Sequence, residues 1–236
     1  LAKPSVMDEI RNNKNIYIEA LNLICKKTPF VIATVVETQG STPQKPGSSA
    51  IVGENGLIAG TVGGGTVENA IQKKASEVIK TKESGYYRFS LDNDISMAEA
   101  AICGGEMSII LDASPEKHLT VFEALKKSCS NRIQGVLITL CDSDSTGQFN
   151  VKRLWVTQND LPKITETLKA DITQTVLQML NKPIQSDFRE IVIHTSPGYE
   201  DNDVFLESIV PLPRLIIAGA GHIGKALSHL GKLLDF

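Results

Sequence analysis

Three stretches in the first half of the chain place glycines beside side chains that can bind an anion or a metal. The first has consecutive glycines directly before a predicted helix, so their amide N–H groups would be free to point at a ligand. Its candidate binding residues are Gly63, Gly64, Gly65, Thr66 and Glu68. This pattern predicts a site for a phosphate-like anion. The alternative is a tight turn in which Thr66 caps the helix.

The second stretch is the polar loop Gly40–Gly47, which follows a predicted buried strand. Open-sheet α/β proteins bind ligands beyond the carboxyl ends of their strands. The candidate ligand-binding residues of the loop are Gly40, Ser41, Thr42 and Lys45. They offer main-chain amides, hydroxyl groups and an ammonium group. The alternative is a surface loop that binds nothing.

The third stretch consists of Cys103, Gly104 and Gly105. A thiolate is a nucleophile and a soft metal ligand, and the two glycines would leave room for a bulky partner. Cys103 is therefore the candidate catalytic residue, as a thiol that handles a metal or sulfur, and the alternative is a buried cysteine at a tight turn. The cysteines and histidines of the chain are dispersed without CxxC spacing, which predicts neither a zinc site nor a dense disulfide framework.

A fourth motif lies near the end of the chain, where Gly219, Gly221 and Gly224 fit the pattern GxGxxG. A predicted strand precedes it and a predicted helix follows, which is the setting for a dinucleotide pyrophosphate. The acidic residue that holds the ribose normally follows about 20 residues later, and Asp235 comes too early for that role. We therefore expect an incomplete motif, with NAD(P) binding only in a complete Rossmann domain.

The elements that would position these motifs follow from hydrophobic periodicity and turn residues. Predicted helices are Ser5–Lys27 (capped by Ser5), Thr66–Lys80, Pro115–Ser128 and Leu161–Asn181. Predicted strands are Phe30–Glu37, Ala50–Val52, Leu57–Thr61, Tyr86–Leu91, Met107–Leu111, Gly135–Cys141, Val151–Val156, Glu190–His194, Phe205–Val210 and Leu215–Ala218. The fold class is therefore α/β. A mixed-sheet domain would span residues 1–210, and a linker with the truncated first βα unit of a Rossmann-like domain would span residues 211–236.

Composition narrows the range of functions. The chain has 236 residues, with 24 Lys and Arg against 27 Asp and Glu, and this balance excludes a general nucleic-acid binder. Its apolar stretches are far shorter than the ~20 residues that cross a bilayer. No basic segment followed by an apolar one opens the sequence. We expect a cytoplasmic protein without a nucleic-acid or membrane partner.

Taken in chain order, four motifs resemble the xanthine dehydrogenase accessory factor family (XdhC/CoxI). They are GSTPQKPG, GTVGGGTVE, CGGEMSIIL and VFLESIVPLPRLIIAGAGHIGKAL. The resemblance implies an α/β domain followed by a Rossmann-like domain. It also implies a role in maturing molybdenum hydroxylases: binding the molybdenum cofactor (molybdopterin), protecting it during sulfuration by a cysteine desulfurase, and delivering it to the apo-enzyme.

On that resemblance, Gly63–Gly65 would hold the cofactor's phosphate, the Gly40–Gly47 loop would bind the pterin edge, and Cys103 would lie near the metal. Two positions depart from the family pattern. Gln44 followed by Lys45 stands where members often carry Arg, so a point charge replaces a planar fork. Thr66 stands where many members carry Cys, which leaves Cys103 as the motif cysteine.

Two other functions stay open at the level of sequence. An NAD(P)-dependent oxidoreductase would use the GxGxxG motif, although no acid or base to face a nicotinamide can be identified. A cofactor-free adaptor would dock a desulfurase onto the apo-hydroxylase, and it predicts an exposed apolar patch without a polar pocket near Gly63–Gly65. We favour a cofactor-handling protein over an enzyme that turns over a substrate. The apolar faces of Leu215–Ala218 and Leu227–Leu233 also predict a homodimer.

Overall fold

The computed structural model describes residues 15–90, 105–144, 146–164, 168–182, 188–193, 202–211 and 214–233. The helices in these ranges are α1 (Ile16–Cys25), α2 (Gly65–Thr81), α3 (Leu119–Ser130), α4 (Leu161–Ile164), α5 (Ala170–Asn181) and α6 (His222–Leu233). The strands are β1 (Phe30–Gln39), β2 (Ser49–Gly53), β3 (Gly56–Gly60), β4 (Gly85–Ser90), β5 (Glu106–Asp112), β6 (Gly135–Ser143), β7 (Phe149–Val156), β8 (Phe188–Ile193) and β9 (Asn202–Ile209). The predicted α/β class is confirmed.

The strands form two sheets. The first has the order β3-β2-β1-β5-β4 and the second the order β7-β6-β9-β8. Every pair of neighbours among these described strands is antiparallel, where we expected a mixed sheet. Antiparallel neighbours can be joined by a tight hairpin. The predicted one between β2 and β3 is present, with Gly56 at φ 130° in its turn.

Strand β1 occupies the centre of the first sheet and is buried on both faces, as its apolar sequence predicts. One face presents Val31 and Val35 to the core beneath α2. The opposite face presents Ile32 to helices α1 and α3, and Val36 to the second sheet. The carboxyl end of β1 leads into the Gly40–Gly47 loop, so both sides of the core fix where that loop begins.

Helices α1 and α3 fill one end of the space between the sheets. Tyr17 of α1 stacks on Phe122 of α3, with ring centroids 5.6 Å apart, and both belong to a core that includes Leu137 of β6. At the other end the sheets contact each other directly through Ile110 and Phe205. Helix α5 covers the outer face of the second sheet. The layers therefore run from α2 through the first sheet, the helical wedge and the second sheet to α5.

Two helix predictions need correction. The single helix predicted over Leu161–Asn181 is wrong: the described residues form α4 and α5, and the extended backbone of Lys169 (φ −61°, ψ 150°) marks where α5 begins. The helix predicted to run unbroken from Ser5 instead has a start at Ile16, where the Asn15 side chain caps it by accepting a hydrogen bond from the Tyr17 amide at 3.0 Å. The cap at Ser5 stays a prediction. Residues 1–14 lie outside the described part of the chain.

Most residues of the C-terminal segment, residues 214–233, are exposed to solvent. The helix predicted after the GxGxxG motif is present as α6. The preceding residues Leu215–Ala218, predicted as a buried strand, are not part of a sheet, and Ile216 is 81% exposed. Among the described residues, no parallel strand lies beside this segment to pair with it. The absence of such a strand explains why the segment is exposed and not a buried strand. The domain boundary near residue 210 stays a prediction.

Candidate functional site

The Gly40–Gly47 loop is closed at its base by main-chain hydrogen bonds. The Gly47 amide donates to the Val35 carbonyl at 2.8 Å, and the Val35 amide donates to the Ser48 carbonyl at 2.8 Å. Gly40 and Gly47 have φ values of 72° and 92°, a region that L side chains rarely adopt. The loop is therefore a defined turn anchored on β1 and not an unsupported surface segment.

Within the loop, some polar groups are already engaged and others face solvent. The Thr42 hydroxyl donates to the Gln44 carbonyl at 2.9 Å, and the Ser48 hydroxyl donates to the Gln44 side-chain oxygen at 2.9 Å. These bonds stiffen the turn and hold Gln44 in place. Ser41 and Lys45 are exposed, so their hydroxyl and ammonium groups are the side-chain donors that the loop offers to a ligand.

The glycine triplet lies against this loop. A Cβ atom added at Gly63 would lie 2.6 Å from Cγ of Pro43, so only glycine allows the two turns to approach this closely. Gly63 also has φ 134°, which a side chain would disfavour. The first two stretches singled out in the sequence are therefore adjacent in space.

Gly105, which directly precedes strand β5, lies against the same loop. A Cβ atom there would collide with the Ser41 carbonyl oxygen and would lie 2.7 Å from the Gln39 carbonyl oxygen. Gly105 is buried, and its main chain packs directly on the first turn of the loop. We call Gly40–Gly47, Gly60–Glu68 and Gly105 together the glycine-turn cluster. Cys103 and Gly104 lie outside the described residues, so the predicted thiol has no assigned position.

Helix α2 begins in this cluster with an uncapped end. Its N-cap is Gly64, which has no side chain to accept from the first-turn amides, so the N-cap position does not fall on Thr66 as the alternative of a capped tight turn supposed. A Cβ atom at Gly64 or Gly65 would meet nothing within 4 Å. The first amides of a helix have no intrahelical partner. Here they border open space, the geometry that an anion requires.

Glu68 occupies the first turns of α2 in a fixed orientation. The Gly63 amide donates to the Thr61 hydroxyl oxygen at 3.2 Å, and that hydroxyl donates to Oε1 of Glu68 at 2.8 Å. The carboxylate favours the positive end of the helix dipole but opposes a second anion nearby. Glu68 is thus suited to accept hydrogen bonds from a ligand's N–H groups and is unsuited to hold a phosphate.

A polar cleft adjoins the glycine-turn cluster and was not identified from the sequence. It is lined by Glu37, Thr38, Gln39, Arg88, Glu106 and Ser108. Glu37 sits at a bulge of β1 and accepts hydrogen bonds from Ser108 at 3.1 Å and Tyr86 at 3.3 Å. Bulges often re-aim a side chain beside a functional site. The sequence signal that could have indicated this cleft is Glu37, a charged residue at the end of an otherwise apolar predicted strand.

A second polar group, also missed, lies between the two sheets. We call Tyr17, Asp112, His118, Arg153 and Glu207 the inter-sheet cluster. Arg153 Nε donates to Asp112 Oδ2 at 3.2 Å, with both side chains 1% exposed. The Tyr17 hydroxyl donates to Glu207 Oε2 at 2.6 Å. His118 Nε2 is 3.4 Å from Asp112 Oδ2 but is not aligned for a hydrogen bond.

Burial and charge shift the acid–base behaviour of this cluster. Burial raises the pKa of Glu207 to about 7, although the Tyr17 hydrogen bond and the Arg153 charge both oppose that shift. Burial also favours the neutral form of Asp112, but His118 and Arg153 outweigh it and lower its pKa. Burial and the nearby Glu207 raise the pKa of Tyr17. Arg153 acts on both carboxyl groups, but their pKa values are shifted in opposite directions, upward for Glu207 and downward for Asp112.

The GxGxxG residues stand apart from the glycine-turn cluster. In the described residues 214–233, the hydrogen bonds stay within the segment, such as Lys225 amide to Gly221 carbonyl at 3.0 Å. A Cβ atom at Gly224 would collide with the Gly219 carbonyl oxygen, so this glycine allows close packing of the turn on the helix. Gly219 and Gly221 border open space. The turn keeps its local shape, and its nucleotide role stays a prediction.

The described part of the chain contains neither a candidate metal site nor a candidate membrane-spanning helix. No group of three or more His, Cys, Asp or Glu side chains there is arranged to hold a metal ion. None of the described helices is long and apolar enough to span a bilayer.

Comparison with known proteins finds a family whose profile matches part of the chain. A profile of the XdhC and CoxI family matches residues 23–90, which include the Gly40–Gly47 loop and the glycine triplet. The uncharacterized protein YqeB of Escherichia coli (strain K12) is 30% identical over 97 residues, covering 41% of this chain and 18% of that protein. The resemblance inferred from the motifs is therefore confirmed for this segment.

Longer but weaker similarities extend over most of the chain. A probable subunit of xanthine dehydrogenase from Bacillus subtilis (strain 168) is 22% identical over 209 residues, covering 87% of this chain and 57% of that protein. The chain thus spans 18% and 57% of the lengths of these curated relatives. A crystal structure of a xanthine dehydrogenase from Bacillus halodurans superposes with a TM-score of 0.58 at 20% identity, over 92% of this chain and 60% of that one. At this identity the superposition shows a shared fold.

Proposed function

Because residues 23–90 match the profile of the XdhC and CoxI family, we propose that this chain is an accessory protein that binds the molybdenum cofactor. It assists sulfuration of the cofactor and its insertion into a molybdenum hydroxylase such as xanthine dehydrogenase. The observation that carries the proposal is the meeting of Gly63 and Gly105 on the Gly40–Gly47 loop. Separate stretches of sequence thereby supply main-chain and side-chain groups to one surface.

The groups of the glycine-turn cluster fit a phosphorylated pterin. The first-turn amides of α2, beside Gly64 and Gly65, suit the phosphate, and the exposed ammonium of Lys45 adds a positive charge to the same surface. A pterin also carries adjacent N–H donors, and the carboxylate of Glu68, held by Thr61, suits those donors. When bound, the cofactor supplies the molybdenum chemistry. The protein's own groups hold the two ends of the molecule.

The partners follow from the same proposal. The apo form of a molybdenum hydroxylase receives the cofactor, and a cysteine desulfurase supplies the sulfur. Cys103, which precedes Gly105 by two positions, is the candidate thiol for handling that sulfur or the metal. The chain acts by carrying a cofactor and does not turn over a substrate. A homodimer formed through the exposed apolar residues of α6 completes the proposal.

Equilibrium binding of molybdenum cofactor to the purified chain tests the proposal, with NAD and CTP as competing controls. Gly65→Asp places a carboxylate at the first turn of α2, and Gly65→Asn is its matched neutral control, because both residues tolerate positive φ. We expect the Asp variant to bind at least about ten-fold more weakly than the Asn variant, a difference of roughly 1.4 kcal/mol. Equal affinity of the two variants would remove the α2 terminus from the site. Absence of binding by the unmodified chain would overturn the cofactor proposal itself.

A further inference from the structure

The inter-sheet cluster contains more acidic groups than the neighbouring guanidinium can neutralise. Glu207 of β9 and Asp112 of β5 both feel the charge of Arg153 on β7. Asp112 has the direct ion pair with Arg153 at 3.2 Å and a neighbouring His118 at 3.4 Å. A second buried negative charge without its own counter-ion is unfavourable. Electroneutrality therefore favours a proton on Glu207.

The groups that face Glu207 come from different elements packed around it. Tyr17 of α1 donates to Glu207 at 2.6 Å, and the Arg153 guanidinium acts on Glu207 from β7. Thr34 of β1 and Thr139 of β6 line the same small cavity. Cys141 of β6 also feels the Arg153 charge, and burial raises the pKa of its thiol to about 12 and keeps it neutral. The cavity around Glu207 is thus lined by hydroxyl groups, one guanidinium and apolar side chains, contributed by both sheets and α1.

A chain of hydroxyl groups connects this cluster to the glycine-turn cluster. The Ser49 hydroxyl of β2 lies close enough to the Tyr17 hydroxyl to oppose the rise in the pKa of Tyr17. The Ser49 hydroxyl also lies 3.1 Å from that of Thr34 and 3.4 Å from the Gly47 carbonyl oxygen. Gly47 is the last residue of the Gly40–Gly47 loop and is bonded to Val35 of β1. Movement of Tyr17 therefore acts on the anchor of the loop.

We propose that Glu207 holds a proton while the two sheets are packed together and releases it to solvent when the contact between them opens. The inter-sheet cluster is then a pH-sensitive latch that also sets the anchor of the Gly40–Gly47 loop. Low pH keeps the latch closed, because the closed form binds the proton more tightly than the open form does. Rising pH ionises Glu207 beside Asp112 and loosens the contact through Tyr17. This latch requires no bound ligand and does not depend on the proposed function.

Amide hydrogen exchange of Val35 and Gly47 tests the latch in the full chain. After correction for the intrinsic exchange rate, the opening constant should rise about ten-fold between about pH 6 and about pH 8. The isosteric variant Glu207→Gln cannot ionise and should show no such rise. Glu123→Gln, which changes an exposed carboxylate on α3, is the matched control and should behave as the unmodified chain. A ten-fold rise that persists in Glu207→Gln would overturn the proposal.

A second measurement does not depend on the variant folding. Nuclear magnetic resonance titration of the Glu207 side-chain carboxyl in the unmodified chain reports its protonation directly. A midpoint near neutrality supports the latch, and a midpoint near 4.5, the ordinary value for glutamate, contradicts it. Tyr17→Phe removes the hydroxyl that links Glu207 to Ser49. We expect it to abolish the coupling of the loop amides to pH while the Glu207 titration remains, and a loop that still responds would exclude this route.

Discussion

The glycine-turn cluster and the inter-sheet cluster organise polar groups in opposite ways. The first exposes main-chain amides, and its shape depends on the absence of side chains at Gly63 and Gly105. The second buries charged side chains, and its shape depends on their mutual compensation around Arg153. A surface of free amides can accept a ligand at little energetic cost. A buried set of charges offers no open surface to a ligand, and it responds instead to the loss or gain of a proton.

Removing the central cation should break the buried cluster most severely. Arg153→Met leaves Asp112 buried without its guanidinium partner, and we expect the free energy of unfolding to fall by about 3–5 kcal/mol. Denaturant unfolding at neutral pH measures the loss. Lys152→Met changes the exposed neighbour on the same strand and should alter stability by less than about 0.5 kcal/mol. A loss below about 1 kcal/mol for Arg153→Met would mean that Arg153 is not the counter-ion on which the cluster depends.

The free energy of unfolding should depend on pH, because Glu207 in the buried cluster has a pKa near neutrality. Glu207 has a pKa of about 7 in the folded chain, above its ordinary 4.5, so the folded state binds the proton more tightly. Its contribution is complete below about pH 4.5 and is lost as the pH rises to about 7, a loss of about 3 kcal/mol. Glu207→Gln should lack this loss. Unfolding curves of both chains across this range test it, and parallel pH profiles would refute the assignment.

A smaller effect is expected where the glycine-turn cluster is overpacked. Gly105→Ala places a methyl group against the Ser41 and Gln39 carbonyl oxygens, and main chain cannot move aside as a flexible side chain can. We expect a loss of about 1–3 kcal/mol in the free energy of unfolding, with weaker ligand binding. Gly221→Ala has open space around its added methyl group and serves as control. Thermal unfolding distinguishes them, and equal stabilities would show that Gly105 does not hold the turns together.

The glycine-turn cluster could be predicted from the sequence better than the buried one for a physical reason. Runs of glycine and polar residues such as Gly63–Gly65 are local signals of special backbone geometry, visible in a few consecutive positions. In the described residues, the contacts of Gly63 and Gly105 bring these separate stretches together on the Gly40–Gly47 loop. Binding of a cofactor there stays a proposal, and Cys103 lies outside the described part of the chain.

The inter-sheet cluster has no comparable signal. Tyr17 and Glu207 are separated by 190 positions, and Asp112 and Arg153 by 41. In the sequence each reads as an ordinary residue of an amphipathic helix or a half-buried strand. Only the pairing of two antiparallel sheets through α1 and α3 brings them together. The same reason explains why β-strand positions were predicted well while the division into two sheets was not.

The contact of Gly105 with the carbonyl groups of Gln39 and Ser41 has a consequence for engineering this protein. The turns of the glycine-turn cluster are held in place by main-chain contacts, so their arrangement does not depend on which side chains project from the loop. Exposed positions such as Ser41 and Lys45 can therefore be exchanged to alter ligand preference without rebuilding the scaffold. A library confined to these two positions would test whether the loop contributes to ligand binding while leaving the architecture intact.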